Sequence, residues 1–273
     1  MKLLSLLVFF AFASSSAMAQ DNNKELVFGS VAMDIPAEMH KRLKPLTQYL
    51  SKALNRNISL HLSPNMGVAI QDTIKGNVDL SYLTPVAYLK ARAKSKAQLL
   101  VKTVTNGKAS FQLMIVVKQK SNIKNIDDLK GKTFAFGDKR ALLQRATVVG
   151  AGLQLNDLKE MKFLGHYDNI ARAVLNGDFD AGILKDTKAF KWEGKGLRIL
   201  YSSPNLPPYN IAASKNVDPV LLKQLKTAFL ALDSNNLAHL KIIKALDKKY
   251  NGFAATNDQE YDVIRQLIAP FNK

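Results

Sequence analysis

IQDTIKGNVDLS at Ile70–Ser81 and IARAVLNGDFDAG at Ile170–Gly182, one hundred residues apart, are two passes of one pattern. Each reads as a helix stopped by glycine, Gly76 in the first and Gly177 in the second. A helix commonly closes on a left-handed residue, which glycine adopts without a Cβ penalty. An apolar residue follows, then an aspartate (Asp79, Asp180) and a short apolar strand. One such unit in each half predicts two lobes of similar topology facing each other across a cleft. The alternative is chance likeness between two ordinary helix–strand units.

Outward from these units, short β-branched or aromatic runs alternate with helical patterns. Strands are expected at Leu26–Phe28, Ile58–Leu62, Val78–Tyr82, Leu99–Val104, Phe111–Lys118, Thr133–Phe136, Ala181–Leu184 and Leu197–Tyr201. The clearest helix places Met39, Leu43, Leu46, Leu50 and Leu54 on one face. Thr84-Pro85, Asn125-Ile126 and Asp218-Pro219 read as helix starts. The stretch from Asp218 to Phe271 reads as almost wholly helical. This alternation predicts parallel or mixed sheets covered by helices on both faces.

The N-terminus sets the compartment. Lys2, the apolar run Leu3–Ala13 and the small-x-small triplet Ala17-Met18-Ala19 form a signal peptide over residues 1–19, with Gln20 as the first mature residue. An uncleaved anchor is the alternative. The run falls short of the about 20 apolar residues of a spanning helix. The chain has no cysteine, which excludes disulfides, thiolate metal sites, a cysteine nucleophile and a lipid tether through an N-terminal Cys. A periplasmic location is the expectation.

The formal net charge is +17. That bias suits an anionic ligand, an anionic membrane surface or nucleic acid, or simply a solvated lysine-rich surface. The lysines are spread along the chain with no basic stripe and interleaved aromatics, so no nucleic-acid partner is expected. Four histidines (His40, His61, His166, His239) stand far apart without metal-ligand spacing. Asp72 with Asp79, and Asp178 with Asp180, are better read as caps and turns than as acid/base pairs. No GxSxG elbow, phosphate-binding GxxxxGK[ST] loop or dinucleotide fingerprint occurs. No catalytic residue, cofactor or metal is expected.

Phe28-Gly29-Ser30-Val31, the segment DLSYLTPVAY at Asp79–Tyr88, Phe163-Leu164-Gly165 through Gly182, and Gly252-Phe253 with Asp258, Tyr261, Asp262 and Arg265 occur in one order along the chain. In that order they resemble the phosphate/phosphite/phosphonate-binding proteins of ABC importers. The resemblance implies a type II periplasmic-binding fold: α/β, two lobes, a ligand cleft and two hinge crossings near Thr105–Phe111 and Tyr201–Pro208. The lobes would comprise 20–108 with 205–273, and 109–204, the C-terminal helices returning to the first lobe.

A strand running into a helix N-terminus presents unpaired N–H groups and a positive dipole end, which suits an oxyanion. Lys132–Gly137 running into a helix near Lys139–Gly152 is that element here. The family carries hydroxyls on this turn, whereas this chain has Lys139-Arg140-Ala141. Tyr167 stands where the family's ligand-binding histidine is usual, with His166 one place early, and Pro207-Pro208-Tyr209-Asn210 replaces its Pro-x-Asp. Two readings remain open. Lys139 and Arg140 act as cationic donors in place of hydroxyls, or Tyr82, Tyr167 and Tyr209 form an aromatic wall for a larger, less charged ligand. The expected contacts are Ser30, Tyr82, Thr84, Lys139, Arg140, His166, Tyr167 and Tyr209.

The expected function is capture of a small anionic solute of the phosphate/phosphonate type by a monomer, which delivers it to an inner-membrane ABC permease. A sensor subunit serving a membrane signalling protein is the alternative, as is the same fold with a non-phosphonate ligand.

Overall fold

The computed structural model describes residues 24–31 and 36–272, so the leader expected over 1–19 lies outside the described residues. The chain runs β1 (Leu26–Val31), α1 (Pro36–Leu54), β2 (Ile58–Ser63), α2 (Met66–Lys75), β3 (Leu80–Leu83), α3 (Pro85–Lys94) and β4 (Gln98–Thr105). It continues through β5 (Leu113–Lys118), β6 (Thr133–Phe136), α4 (Leu142–Gly150), β7 (Glu160–Phe163), α5 (Tyr167–Asn176), β8 (Ala181–Lys185), α6 (Asp186–Trp192) and β9 (Leu197–Ser202). The last elements are β10 (Asn210–Ala213), α7 (Pro219–Leu230), α8 (Leu237–Leu246), β11 (Tyr250–Ala254) and α9 (Asp262–Ile268).

Two sheets form. The first has the order β11-β4-β10-β3-β1-β2 and the second β7-β6-β8-β5-β9. With the edge strand β11 set aside, they share one plan. In the first, β1 pairs in parallel with β2 and β3, and β10 lies antiparallel between β3 and β4. In the second, β6 pairs in parallel with β7 and β8, and β5 lies antiparallel between β8 and β9.

The sequence repeat has a physical cause. Gly76 and Gly177 both stop their helices in the left-handed region, at φ 76° and 91°. The aspartate three residues on then ties each unit to the first strand of its own sheet. Asp79 Oδ2 accepts the Val27 N–H at 2.8 Å, and Asp180 Oδ2 accepts the Thr133 N–H at 2.8 Å. The carboxylate satisfies a backbone donor at the strand's start that has no ladder partner there.

The sheets meet through two paired crossings, residues 106–112 and 203–209. Phe111 and Leu206 exchange both backbone hydrogen bonds, at 2.9 and 2.8 Å. Ser203 N–H donates to the Leu113 carbonyl, and the Leu113 N–H donates to Ser203 Oγ. The first crossing opens on Asn106-Gly107, both at positive φ (49° and 76°), with Thr105 and Lys108 bonded across them. That is a two-residue primed turn, for which Asn-Gly is the preferred pair.

Helix α1 buries Met39, Leu43, Leu46 and Leu50 against the first sheet, as the periodicity predicts, with α7 and α8 beside it. Each of those side chains contributes about 1.5–3 kcal/mol of transfer free energy.

Three expectations need correction. Asn125 does cap, its Oδ1 accepting the Asp128 N–H at 3.1 Å, yet only a single 3-10 turn over Asp127–Leu129 follows before Gly131 at φ 71° ends it. The helix expected from Lys139 begins at Leu142. The stretch from Asp218 to Phe271 contains β11, which pairs with β4, and its last helix does not simply return to the first lobe. Helix α9 packs chiefly on α4 beside the second sheet while also touching α3. Tyr261, Ile264 and Ile268 therefore sit in a buried cluster that joins Tyr88 and Leu89 of α3 to Phe134, Phe136 and Val148.

Candidate ligand-binding cleft

In open α/β sheets, ligands bind beyond the carboxyl ends of the parallel strands. Here those ends are Val31 and Leu83 in one sheet, Phe136 and Lys185 in the other. The antiparallel strands β10 and β5 start at the same edges, Asn210 opposite Leu83 and Leu113 opposite Lys185. Each crossing feeds one of them, so the edges that would hold a ligand lie on either side of the hinge.

On the first side, Tyr82 is buried at 5 % exposure and stacks on Tyr209 with ring centroids 5.0 Å apart at 29°. Its hydroxyl lies 2.6 Å from that of Tyr250. Burial and the neighbouring Tyr250 hold the Tyr82 hydroxyl well above its ordinary range, and burial pushes Tyr250 up to about 12. Thr103 fixes the backbone of Tyr209, its N–H and hydroxyl both donating to the Tyr209 carbonyl. Ser30 is buried, its hydroxyl donating to the Val31 carbonyl at 3.3 Å. Thr84 is the N-cap of α3, its Oγ1 accepting the Ala87 N–H at 3.2 Å.

On the second side, Gln144 holds the turn after β6. It is buried, its Oε1 accepts the Gly137 N–H at 2.7 Å, and its Nε2 donates to the Tyr167 hydroxyl at 3.3 Å. Burial raises the Tyr167 hydroxyl, and Tyr167 is coupled electrostatically to Tyr209 on the first side. Lys139 and Arg140 do not join them. Both are exposed on the turn ahead of α4, and the Arg140 guanidinium folds back onto Asp138 at 3.0 Å with 87 % of its side chain in solvent. That pair lowers the Asp138 carboxyl and raises Arg140. His166 is exposed at the N-cap of α5. Neither α4 nor α5 has a side-chain N-cap bond. In α4 the Leu142 and Gln144 N–H groups are taken by the Arg140 and Ala141 carbonyls, and in α5 the Asn169 N–H by the His166 carbonyl. The Tyr167 and Asp168 N–H groups of α5 are therefore the better placed to meet an anion.

A cavity of about 170 Å³ lies between the first crossing and α6, with Thr105, Lys108, Phe111, Lys185, Asp186 and Thr187 among its lining. Lys185 stands at the N-cap of α6, its Nζ 4.9 Å from the Phe111 ring centroid. Burial lowers its pKa. Asp186 is buried, Oδ1 accepting the Thr187 N–H and Oδ2 the Gln112 N–H. Sequence reasoning missed Gln144 and Lys185. A signal for Lys185 was present, because it lies eight residues beyond Gly177, as Thr84 does beyond Gly76. Among the described residues, no cluster of three His, Asp or Glu side chains could hold a metal ion.

Away from the cleft, Asp72 Oδ2 accepts from Ser63 Oγ at 2.8 Å and lies 3.2 Å from His61 Nε2. Both groups address the carboxylate and not each other, so this is a structural tie between β2 and α2 and not a nucleophile–base pair.

A family model for the periplasmic substrate-binding proteins of phosphonate ABC transporters matches residues 28–261. The phosphate-import protein PhnD of Mycolicibacterium smegmatis is 26% identical over 266 residues, covering 85% of this chain and 83% of that protein. The phosphonates-binding periplasmic protein of Escherichia coli is 24% identical over 271 residues, covering 93% and 78%. The structure of PhnD1 from Prochlorococcus marinus in complex with methylphosphonate superposes with a TM-score of 0.68 at 22% identity, covering 92% of this chain and 99% of that one.

Proposed function

The chain belongs to the periplasmic substrate-binding proteins of phosphonate ABC transporters, and from that premise we propose that it captures a small phosphorus oxyanion, phosphate or an alkylphosphonate, and performs no chemistry on it. What favours an oxyanion is the family itself. What supports capture between the two sides is the electrostatic coupling of Tyr167 on the second side to Tyr209, which stacks on Tyr82 on the first. Beside them stand the α4 and α5 N-termini, which no side chain caps. A ligand touching both sides favours the closed arrangement over the open one, and only such differential contacts drive closure.

In this reading the leader is cleaved after Ala19 and the mature chain works in the periplasm as a monomer. Its lobes comprise 20–108 with 205–254, and 109–204, with α9 packed back onto the second. An inner-membrane permease accepts the loaded form. The tyrosines support a second reading, a less charged ligand stacked against an aromatic wall.

One thermal-shift experiment on Gln20–Lys273, unfolded and refolded to remove carried-over ligand, separates the two. A ligand at 100 times its dissociation constant adds about 2.7 kcal/mol, several degrees for a chain of this size. Shifts with phosphate, phosphite or methylphosphonate uphold the oxyanion. Shifts confined to uncharged or aromatic compounds overturn it.

A further inference from the structure

We propose that Lys185, in the cavity between the first crossing and α6, is the side chain that anchors the negative charge of the ligand, and that Lys139 and Arg140 are not. The assignment rests on the oxyanion reading above and names the charged residue of that site.

A cation withdrawn from water without a counter-ion is costly, so natural proteins pair it, leave it in solvent, or hold it ready for a ligand. Arg140 follows the first two courses, exposed and paired to Asp138. Lys188, Lys102 and Arg265 also have carboxylate partners. Lys185 is different. Among the described residues its Nζ has no direct salt bridge or hydrogen bond; it lies 4.9 Å from the centroid of the Phe111 ring, with Asp186 and Asp247 acting on it only at a distance. Its neighbour Asp186 cannot turn to it without giving up the Thr187 and Gln112 N–H groups, which hold one carboxylate oxygen each.

Position strengthens the case. Lys185 ends β8, the central parallel strand of the second sheet, and so stands on the edge where this fold places a ligand. The first repeat has Thr84 at this position, and its hydroxyl is taken up in capping α3. The second repeat has a cation there that no carboxylate contacts directly, although Asp186 and Asp247 lie within electrostatic range of it. The cavity around it, about 170 Å³, has room for about five waters, which suits a tetrahedral oxyanion with a short substituent. Thr105, Ser110 and Thr187 offer hydroxyls, and Lys108 adds a second positive charge. Asp186 also lines the cavity, its two carboxylate oxygens each held by a backbone N–H.

The test uses Gln20–Lys273 with methylphosphonate and inorganic phosphate as probes, measured by calorimetry. Lys185→Met should weaken the better probe at least thirtyfold and Lys185→Arg less. Lys139→Ala/Arg140→Ala should stay within threefold of the parent protein. Without ligand, Lys185→Met should melt at or above the parent temperature, because it removes a desolvated charge with no direct partner, whereas loss of a merely structural lysine would lower it. In protein labelled at lysine Cε, the Lys185 resonance should move on saturation and the Lys139 resonance should not. Binding by Lys185→Met within threefold of the parent, or a loss confined to the Lys139/Arg140 pair, overturns the assignment. If the parent binds neither probe, the oxyanion reading fails and this assignment goes with it.

Discussion

Tyr88→Phe and Asp258→Ala, alone and together, probe the strap by which the C-terminus joins the two sheets. The Tyr88 hydroxyl donates to Asp258 Oδ1 at 2.5 Å, and Arg265 Nη2 reaches both oxygens of the same carboxylate at 2.7 Å. Tyr88 is 1% exposed, while the Asp258 side chain keeps 41% of its surface in water. Tyr88→Phe leaves the ring packed and removes one bond to a carboxylate that solvent still reaches, which costs about 1 kcal/mol. Asp258→Ala is worse. It leaves a buried hydroxyl without an acceptor and frees Arg265, for about 2–3 kcal/mol together, a fall of about 5–10 °C in melting temperature. Once Tyr88 is Phe, the Asp258→Ala loss should shrink by about 1 kcal/mol, the coupling that a double-mutant cycle in urea reads directly. Burial alone would raise the Asp258 carboxyl, but the bonds from Tyr88 and Arg265 hold it below its ordinary value. A depressed folded pKa gives stability that is full above the unfolded value, about 3.9, and fades as pH falls through the folded one. The Asp258→Ala penalty should therefore be full at pH 7 and vanish in strong acid. Strict additivity of the two substitutions, or a penalty that does not change with pH, would refute this account of the strap.

Gln144→Leu should leave the Gly137 N–H and the Tyr167 hydroxyl without their partner and cost about 1–3 kcal/mol in urea unfolding, with weaker oxyanion binding by calorimetry. A variant that binds like the parent would show that the turn needs no such brace. Tyr82→Phe should keep the stack on Tyr209 and cost about 1 kcal/mol. Tyr82→Ala opens a cavity in the core and should cost about 3–5 kcal/mol, so equal melting temperatures for the two would contradict the burial. Asp79→Ala should lower the unfolding free energy by about 1–2 kcal/mol. Asp180→Ala should lower it less, because Asp180 is exposed, and a reversed order would break the argument from the repeat.

The architecture was legible because the glycine–aspartate unit is local. Its helix stop, its carboxylate and its strand lie within a dozen residues, so a linear reading captures them. Strands β7, β10 and β11 were not legible. β7 is EMKF with mostly exposed side chains, β10 is four residues behind two prolines, and β11 carries Gly252 at φ 149° beside a register shift. None has the run of β-branched and aromatic residues that marks a strand in isolation. The tyrosines could be singled out because an aromatic at a strand end is conspicuous by type. Gln144 and Lys185 could not, because a glutamine in a helix or a lysine after a strand is unremarkable until the fold brings it to a partner or withholds one. Reading the basic pair as donors rested on a helix starting at Lys139. With α4 starting at Leu142, both residues lie ahead of it on an open turn.

The chain enters the second sheet at Leu113 and leaves it at Ser203, and these two residues are bonded to each other. Residues 113–203 are thus an insert whose ends lie side by side, a form that recombination can move between relatives without stretching the host. The insert is not self-sufficient, however. Leu267 of α9 lies against Gly150 of α4, so tightly that a Cβ there would come within 2.4 Å of it. A chimera that exchanges only 113–203 would set a foreign α4 under a native α9. Exchanging 255–272 along with it would move the interface as one matched surface, so ligand preference in such hybrids should transfer intact only when both segments travel together.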